Sequence, residues 1–132
     1  MLNENRINLS KYRLEKAQEF LKSAVNNLKT EDYMTANNRA YYCVFHSMRA
    51  VIALDGVDFK KHSGVIAYFR EHYIKTGIFD KMYSDIISST SLIRSKSDYD
   101  DFYIAQKDET IEQVKNAEEI YNAVEEYLHT LY

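Results

Sequence analysis

Between residues 9 and 28, apolar side chains recur at alternating spacings of three and four: Leu14, Ala17, Leu21, Ala24 and Leu28, with Phe20 and Val25 widening the stripe. That period predicts an amphipathic helix with one buried face, over about Leu9 to Leu28. The next stretch, from about Asp32 to Leu54, is apolar nearly all round yet carries Arg39, His46 and Arg49. A helix of this kind belongs in the middle of a fold, antiparallel to the first across the short Thr30-Glu31-Asp32 connection. At 100° per residue its Thr35, Arg39, Tyr42, His46 and Arg49 fall on one stripe, lining up polar and cationic groups along the central helix.

Three further helical segments follow. One covers about Lys61 to Ile74 and buries Val65, Ile66, Phe69, Tyr73 and Ile74. Another runs from about Phe79 to Ser95 with Phe79, Met82, Tyr83, Ile86, Ile87 and Ile93 inward, weakened by the poor helix formers Ser88 to Ser91. Tyr99 to Ile104 reads as an irregular connector. The last helix, about Asp108 to Leu131, repeats Ile111, Val114, Ala117, Tyr121, Val124, Leu128 and Leu131, which suits packing against the first. Gly56 is placed to end the second helix in the left-handed conformation, and Gly77 closes the turn after the third.

Composition agrees with five helices. The 132 residues contain no proline and three glycines, which favours long helices over strands and tight turns, and the fold class is read as all-α. The length suits one domain spanning residues 1–132. Cys43 is the lone cysteine, so no internal disulfide forms; in an apolar helix it reads as packing. No segment has the length and apolarity of a membrane span, nor does the N-terminal stretch resemble a leader, so a cytoplasmic location with no membrane contact is expected.

Charge is uneven. Lys and Arg against Asp and Glu number six to three over residues 1–30, nine to seven over 31–97, and two to ten over 98–132. The acidic last helix either steers a polyanion to one side or is held by its charge against the basic first helix.

Several short segments, taken in order, resemble the HEPN superfamily of small helical domains. They are the Asp32-Tyr33 turn leading into Asn38-Arg39-Ala40-Tyr41-Tyr42 and Phe45-His46; Arg49-Ala50; Asp55-Gly56; Lys61-His62-Ser63-Gly64; Phe69; Thr76-Gly77; and Arg94 followed by Asp98-Tyr99. The resemblance runs from about residue 10 to about residue 128 and is strongest to stand-alone prokaryotic members encoded beside minimal nucleotidyltransferases. It implies an up-and-down antiparallel bundle that pairs as a homodimer. It also implies a role in RNA cleavage within a toxin–antitoxin or defence module, and a nucleotidyltransferase-like partner from an adjacent gene.

The resemblance further implies a metal-independent ribonuclease motif, an arginine followed after four to six residues by a histidine. The arginine matches Arg94, but the permitted histidine positions hold Tyr99, Asp100 and Asp101. The catalytic candidates are therefore Arg94, Asp98 and Tyr99, with His46 as a replacement histidine. A structural account of the same segment makes Arg94 and Asp98 an ion pair at i and i+4, with the Tyr99 ring anchoring the connector. Arg39, Tyr42 and Arg49, with Lys61 and His62 at a helix start, are candidates for binding RNA or a nucleotide. The competing account pairs Arg39 and Arg49 with Glu118, Glu119 or Glu125 and makes His46 a hydrogen-bonded core histidine. No metal-ligand spacing and no phosphate-binding glycine loop is present, so neither a metal nor a cofactor is expected. Two other functions remain open: a catalytically silent module that binds a nucleotide or nucleic acid for the nucleotidyltransferase, and a structural dimeric adaptor.

Overall fold

A computed structural model describes residues 3–132; Met1 and Leu2, which begin the stretch read for a leader, lie outside the described residues. Five α-helices follow in the order α1 (Glu4–Lys29), α2 (Tyr33–Ile52), α3 (His62–Phe69), α4 (Met82–Tyr99) and α5 (Lys107–His129), and no strand occurs among the described residues. α2 is the central element, packed by α1, α3, α4 and α5, while α5 also lies against α1. Its fully buried Ala40, Tyr41, Cys43, Val44, Met48, Val51 and Ile52 explain the nearly continuous apolar pattern. The stripe Thr35, Arg39, Tyr42, His46 and Arg49 is half-buried throughout and marks the edge of that core.

Local chemistry sets the helix ends. α1 starts five residues before the periodic stripe because Asn3 Oδ1 accepts hydrogen bonds from the backbone N–H of Asn5 at 2.8 Å and Arg6 at 3.3 Å. Asp32 caps α2 through the Thr35 N–H, and Gly56 closes it with φ of 72° after a 3-10 turn over Ala53–Asp55. α3 does not stay α-helical to Ile74: Arg70–Ile74 form a π-turn, with Lys75 N–H donating to the Arg70 carbonyl. α4 continues four residues past Ser95 and takes Arg94, Asp98 and Tyr99 into one helix. The serine-rich stretch does not interrupt it; Thr90 is buried within it, its hydroxyl satisfied by donating to the Ile86 carbonyl at 2.9 Å.

Four expectations are corrected. Met82, Ile111 and Leu131 are exposed, because the periodicity there continues past the point where a neighbouring helix covers it. No ion pair among the described residues joins α5 to α1; the two meet through a core that includes Ala17, Ala24, Ala117 and Val124. Arg49 pairs with Asp58 at 2.9 Å and Arg39 bonds Asn38 at 2.6 Å, so neither reaches Glu118, Glu119 or Glu125. Burial without a partner, not a hydrogen bond, describes His46 Nδ1.

Candidate functional site

Two side-chain ties fix the end of α4 against the start of α2. Asn37 Nδ2 donates to Ser97 Oγ at 3.1 Å and Asn38 Nδ2 donates to Asp98 Oδ2 at 2.9 Å. Arg94, one turn back along α4, is thereby laid over the aromatic side chains of α2. Its Cζ stands 4.5 Å from the Tyr41 ring centroid, 5.6 Å from Tyr42 and 5.9 Å from Tyr99. Asp98 Oδ2 is 3.7 Å from Arg94 Nη1, an i to i+4 pair as anticipated, but too long for a strong bond. Tyr99 does not anchor the connector: it is 74% exposed, its hydroxyl 3.5 Å from Arg94 Nη1. The Arg94 Nε–H is buried without an acceptor, so part of the guanidinium's donor capacity is unused.

His62, the first residue of α3, joins this cluster from the other side. Its Nδ1 lies 2.9 Å from the Tyr41 hydroxyl, its ring 4.1 Å from Phe45 between centroids and 5.8 Å from Tyr42. Burial, then the positive charges of Arg94 and Arg49, hold His62 below the ordinary histidine range. It is therefore neutral at pH 7. Lys61 beside it is exposed and caps nothing with its side chain.

His46 sits farther along the same stripe. It stacks on Phe20 at 5.3 Å and 9° between planes. Burial first, then Arg49, Lys16 and Arg13, push it down to about 4, leaving it uncharged and closed off at Nδ1. Arg13 and Arg49 share Asp58 at 3.1 and 2.9 Å, so one carboxylate answers two guanidinium groups.

Arg39, Asn38, Asp98 and Tyr99, with Met34 and Thr35, line an open groove of about 530 Å³ beside the Arg94 cluster. The structure thus brings together Arg94, Asp98, Tyr99, Tyr42 and His62, with Arg39 across the groove. It sets His46 and Arg49 a turn or more away. Tyr41, one of the chain's twelve tyrosines and part of the Asn38-Arg39-Ala40-Tyr41-Tyr42 segment, is not among the site residues expected from the sequence; its contacts with His62 and Arg94 are what distinguish it. Cys43 is buried, its thiol pushed up to about 12 by desolvation, as suits packing. Among the described residues no group of three or more His, Cys, Asp and Glu side chains is spaced to hold a metal ion, and no helix is long and apolar enough to cross a membrane.

Comparison with known proteins gives this geometry a family. The HEPN domain model matches residues 10–127, and the chain belongs to the HEPN family. A UPF0332 protein of Thermotoga maritima is 30% identical over 120 residues, 91% of each chain. A Methanocaldococcus jannaschii protein named "Putative toxin" is 30% identical over 115 residues, 87% of this chain and 78% of its own. In fold, the chain is similar to the crystal structure of TT1696 from Thermus thermophilus, with a TM-score of 0.74, covering 89% of this chain and 96% of that one at 20% identity.

Proposed function

We propose that this HEPN protein is the RNA-acting member of a two-gene toxin–antitoxin or defence module, cleaving single-stranded RNA without a metal at the Arg94 cluster. One observation carries the reading: Arg94 and His62 both contact Tyr41, an arginine over its ring and a neutral imidazole on its hydroxyl. Arg94 suits the charge that develops on phosphate oxygens. In the tautomer whose Nδ1–H donates to the Tyr41 oxygen, His62 has Nε2 unprotonated and available as the base for a ribose 2′-hydroxyl. The 2′-oxygen bonds to phosphorus as the bond to the 5′-oxygen breaks. The proton passes to His62 and then to the departing 5′-oxygen. His62 thus takes the role of the histidine that the motif after Arg94 lacks, and suits it better than the enclosed His46. Tyr42 and Arg39 supply a stacking face and a further cation for the strand.

The relative named a toxin supports assignment to such a module. The reading further takes a homodimer and a nucleotidyltransferase-like protein from an adjacent gene as its partners. Phe102 at 94% and Ile104 at 75% exposure, next to Tyr99, form an apolar edge by the groove that a second copy would cover. The alternative is a catalytically silent module that presents RNA or a nucleotide to the nucleotidyltransferase; Tyr99 at a position permitted to the motif histidine favours it.

Purified protein incubated with single-stranded RNA in chelator tests the reading. Cleavage is expected, with His62→Ala losing at least about a hundredfold in rate while still binding, and Arg94→Ala losing binding as well. Intact RNA with Arg94-dependent binding selects the silent module. Binding and cleavage unchanged in a folded Arg94→Ala protein overturn both.

A further inference from the structure

Arg70 is a half-buried cation with no carboxylate within 4.0 Å among the described residues. Its acidic chain neighbour Glu71 is engaged instead with Lys75. Arg70 begins the π-turn that ends α3, and Nη2 reaches across to α4, donating to the Ser84 carbonyl at 3.0 Å and to Ser88 Oγ at 2.6 Å. Nε is buried and without an acceptor. A guanidinium taken partly out of water with neutral partners alone remains short of a counter-charge.

The space beside it is a groove of about 400 Å³ between α3 and α4, walled by Ile66 and Arg70 on one side and by Ser88, Ser91, Leu92 and Ser95 on the other. Both walls lead toward the Arg94 cluster. On α3, His62, Ile66 and Arg70 follow one another at intervals of four and share a face. On α4, Ser95 adjoins Arg94 and the hydroxyls of Ser91 and Ser88 lie back along the helix. Arg70 is eight residues from His62, about 12 Å at 1.5 Å per residue.

We infer that this groove is a second RNA subsite, in which Arg70 takes a phosphate about two positions along the strand from the one at Arg94, while Ser91 and Ser95 meet the intervening ribose and phosphate oxygens. Ile66 and Leu92 give the sugar and base edges an apolar wall. The inference rests on the reading of Arg94 as an RNA phosphate site and adds a direction to it: the strand leaves the Arg94 cluster along α3 and α4.

Binding of a dinucleotide and of an eight-nucleotide RNA, each titrated over a range of salt, tests it. Arg94→Gln is expected to weaken both ligands. Arg70→Gln is expected to weaken the octamer about tenfold and spare the dinucleotide. It is also expected to reduce the salt slope of the octamer by about 0.7, the share of one single-strand phosphate. Leu92→Glu, which puts a carboxylate on an exposed wall position, is expected to give the same length-dependent loss and serves if Arg70→Gln does not fold. Equal octamer affinity and salt slope in wild type and folded Arg70→Gln, or in Leu92→Glu if Arg70→Gln does not fold, overturn the subsite while leaving Arg94 intact. Failure of the wild type to bind RNA of either length overturns the Arg94 reading and the subsite with it.

Discussion

The Tyr41 hydroxyl lies 2.9 Å from His62 Nδ1, joining the middle of the central helix to the first residue of α3 across 21 positions of sequence. Tyr41 is 1% exposed, so its hydroxyl has no water to fall back on and the imidazole is its partner. The same ring carries Arg94 on its face. One buried side chain therefore sets the position of both groups that the proposed chemistry uses.

Tyr41→Phe keeps the ring under Arg94 and removes the bond to His62. Stability should fall by about 1 kcal/mol, the worth of one hydrogen bond. RNA affinity should hold, while the cleavage rate drops because the imidazole is no longer oriented. Nitrogen NMR of His62 should report a changed tautomer balance, which a purely structural role for Tyr41 in packing would not produce.

The pH dependence of cleavage should carry the signature of His62. Its pKa is lowered by burial and by Arg94 and Arg49, so the base stays available until the pH falls below the ordinary histidine value of 6.5. The acid limb of the rate profile should have its midpoint under 6.5, and should move up in a folded Arg49→Gln protein as a positive neighbour is lost. A midpoint at or above 6.5 in the wild type contradicts the environment described for His62.

Stability should depend on pH through His46. In the folded protein it stays neutral down to about pH 4, whereas the unfolded chain takes a proton near 6.5. The unfolded state binds more protons between those values, so the contribution is full above pH 6.5 and is lost as the pH falls toward 4. At this half-buried, solvent-screened site it is worth about 1–2 kcal/mol. His46→Phe preserves the stacking on Phe20 and should flatten that part of the curve, read by urea unfolding at about pH 5 and about pH 7.

Asp58→Asn leaves Arg13 and Arg49 facing each other without their shared carboxylate. Arg13 is 6% exposed and cannot move freely into water. A loss of about 2 kcal/mol is expected, less than for a fully buried pair because Asp58 itself is 44% exposed. Added salt should recover part of it by screening the repulsion.

Helix content was legible because periodicity records which side of each segment is dry. The second and last helices were read to within two residues at each end, and Gly56 and Gly77 take the positive φ angles their turns require. The start of α1 was missed because Asn3 acts through its side chain on two exposed N–H groups, leaving no apolar trace. The end of α4 was missed because its poor helix formers are held by tertiary contacts: Ser97 by Asn37 and Asp98 by Asn38. The π-turn at Arg70 has no sequence mark at all.

The candidate site divides in the same way. Sequence alone determined the all-α fold and the central apolar helix with its half-polar stripe, since spacing along a helix fixes which residues share a face; Arg94 stood out through the family resemblance, not through spacing. Tertiary structure decided the partners. It gave Arg49 to Asp58 rather than to α5, enclosed His46 against Phe20, and brought His62 and Arg94 to one tyrosine. The reason is physical: hydrophobic periodicity specifies how much surface each helix buries, while counter-charges and hydrogen-bond partners are chosen by the distances that arise only after the helices have packed.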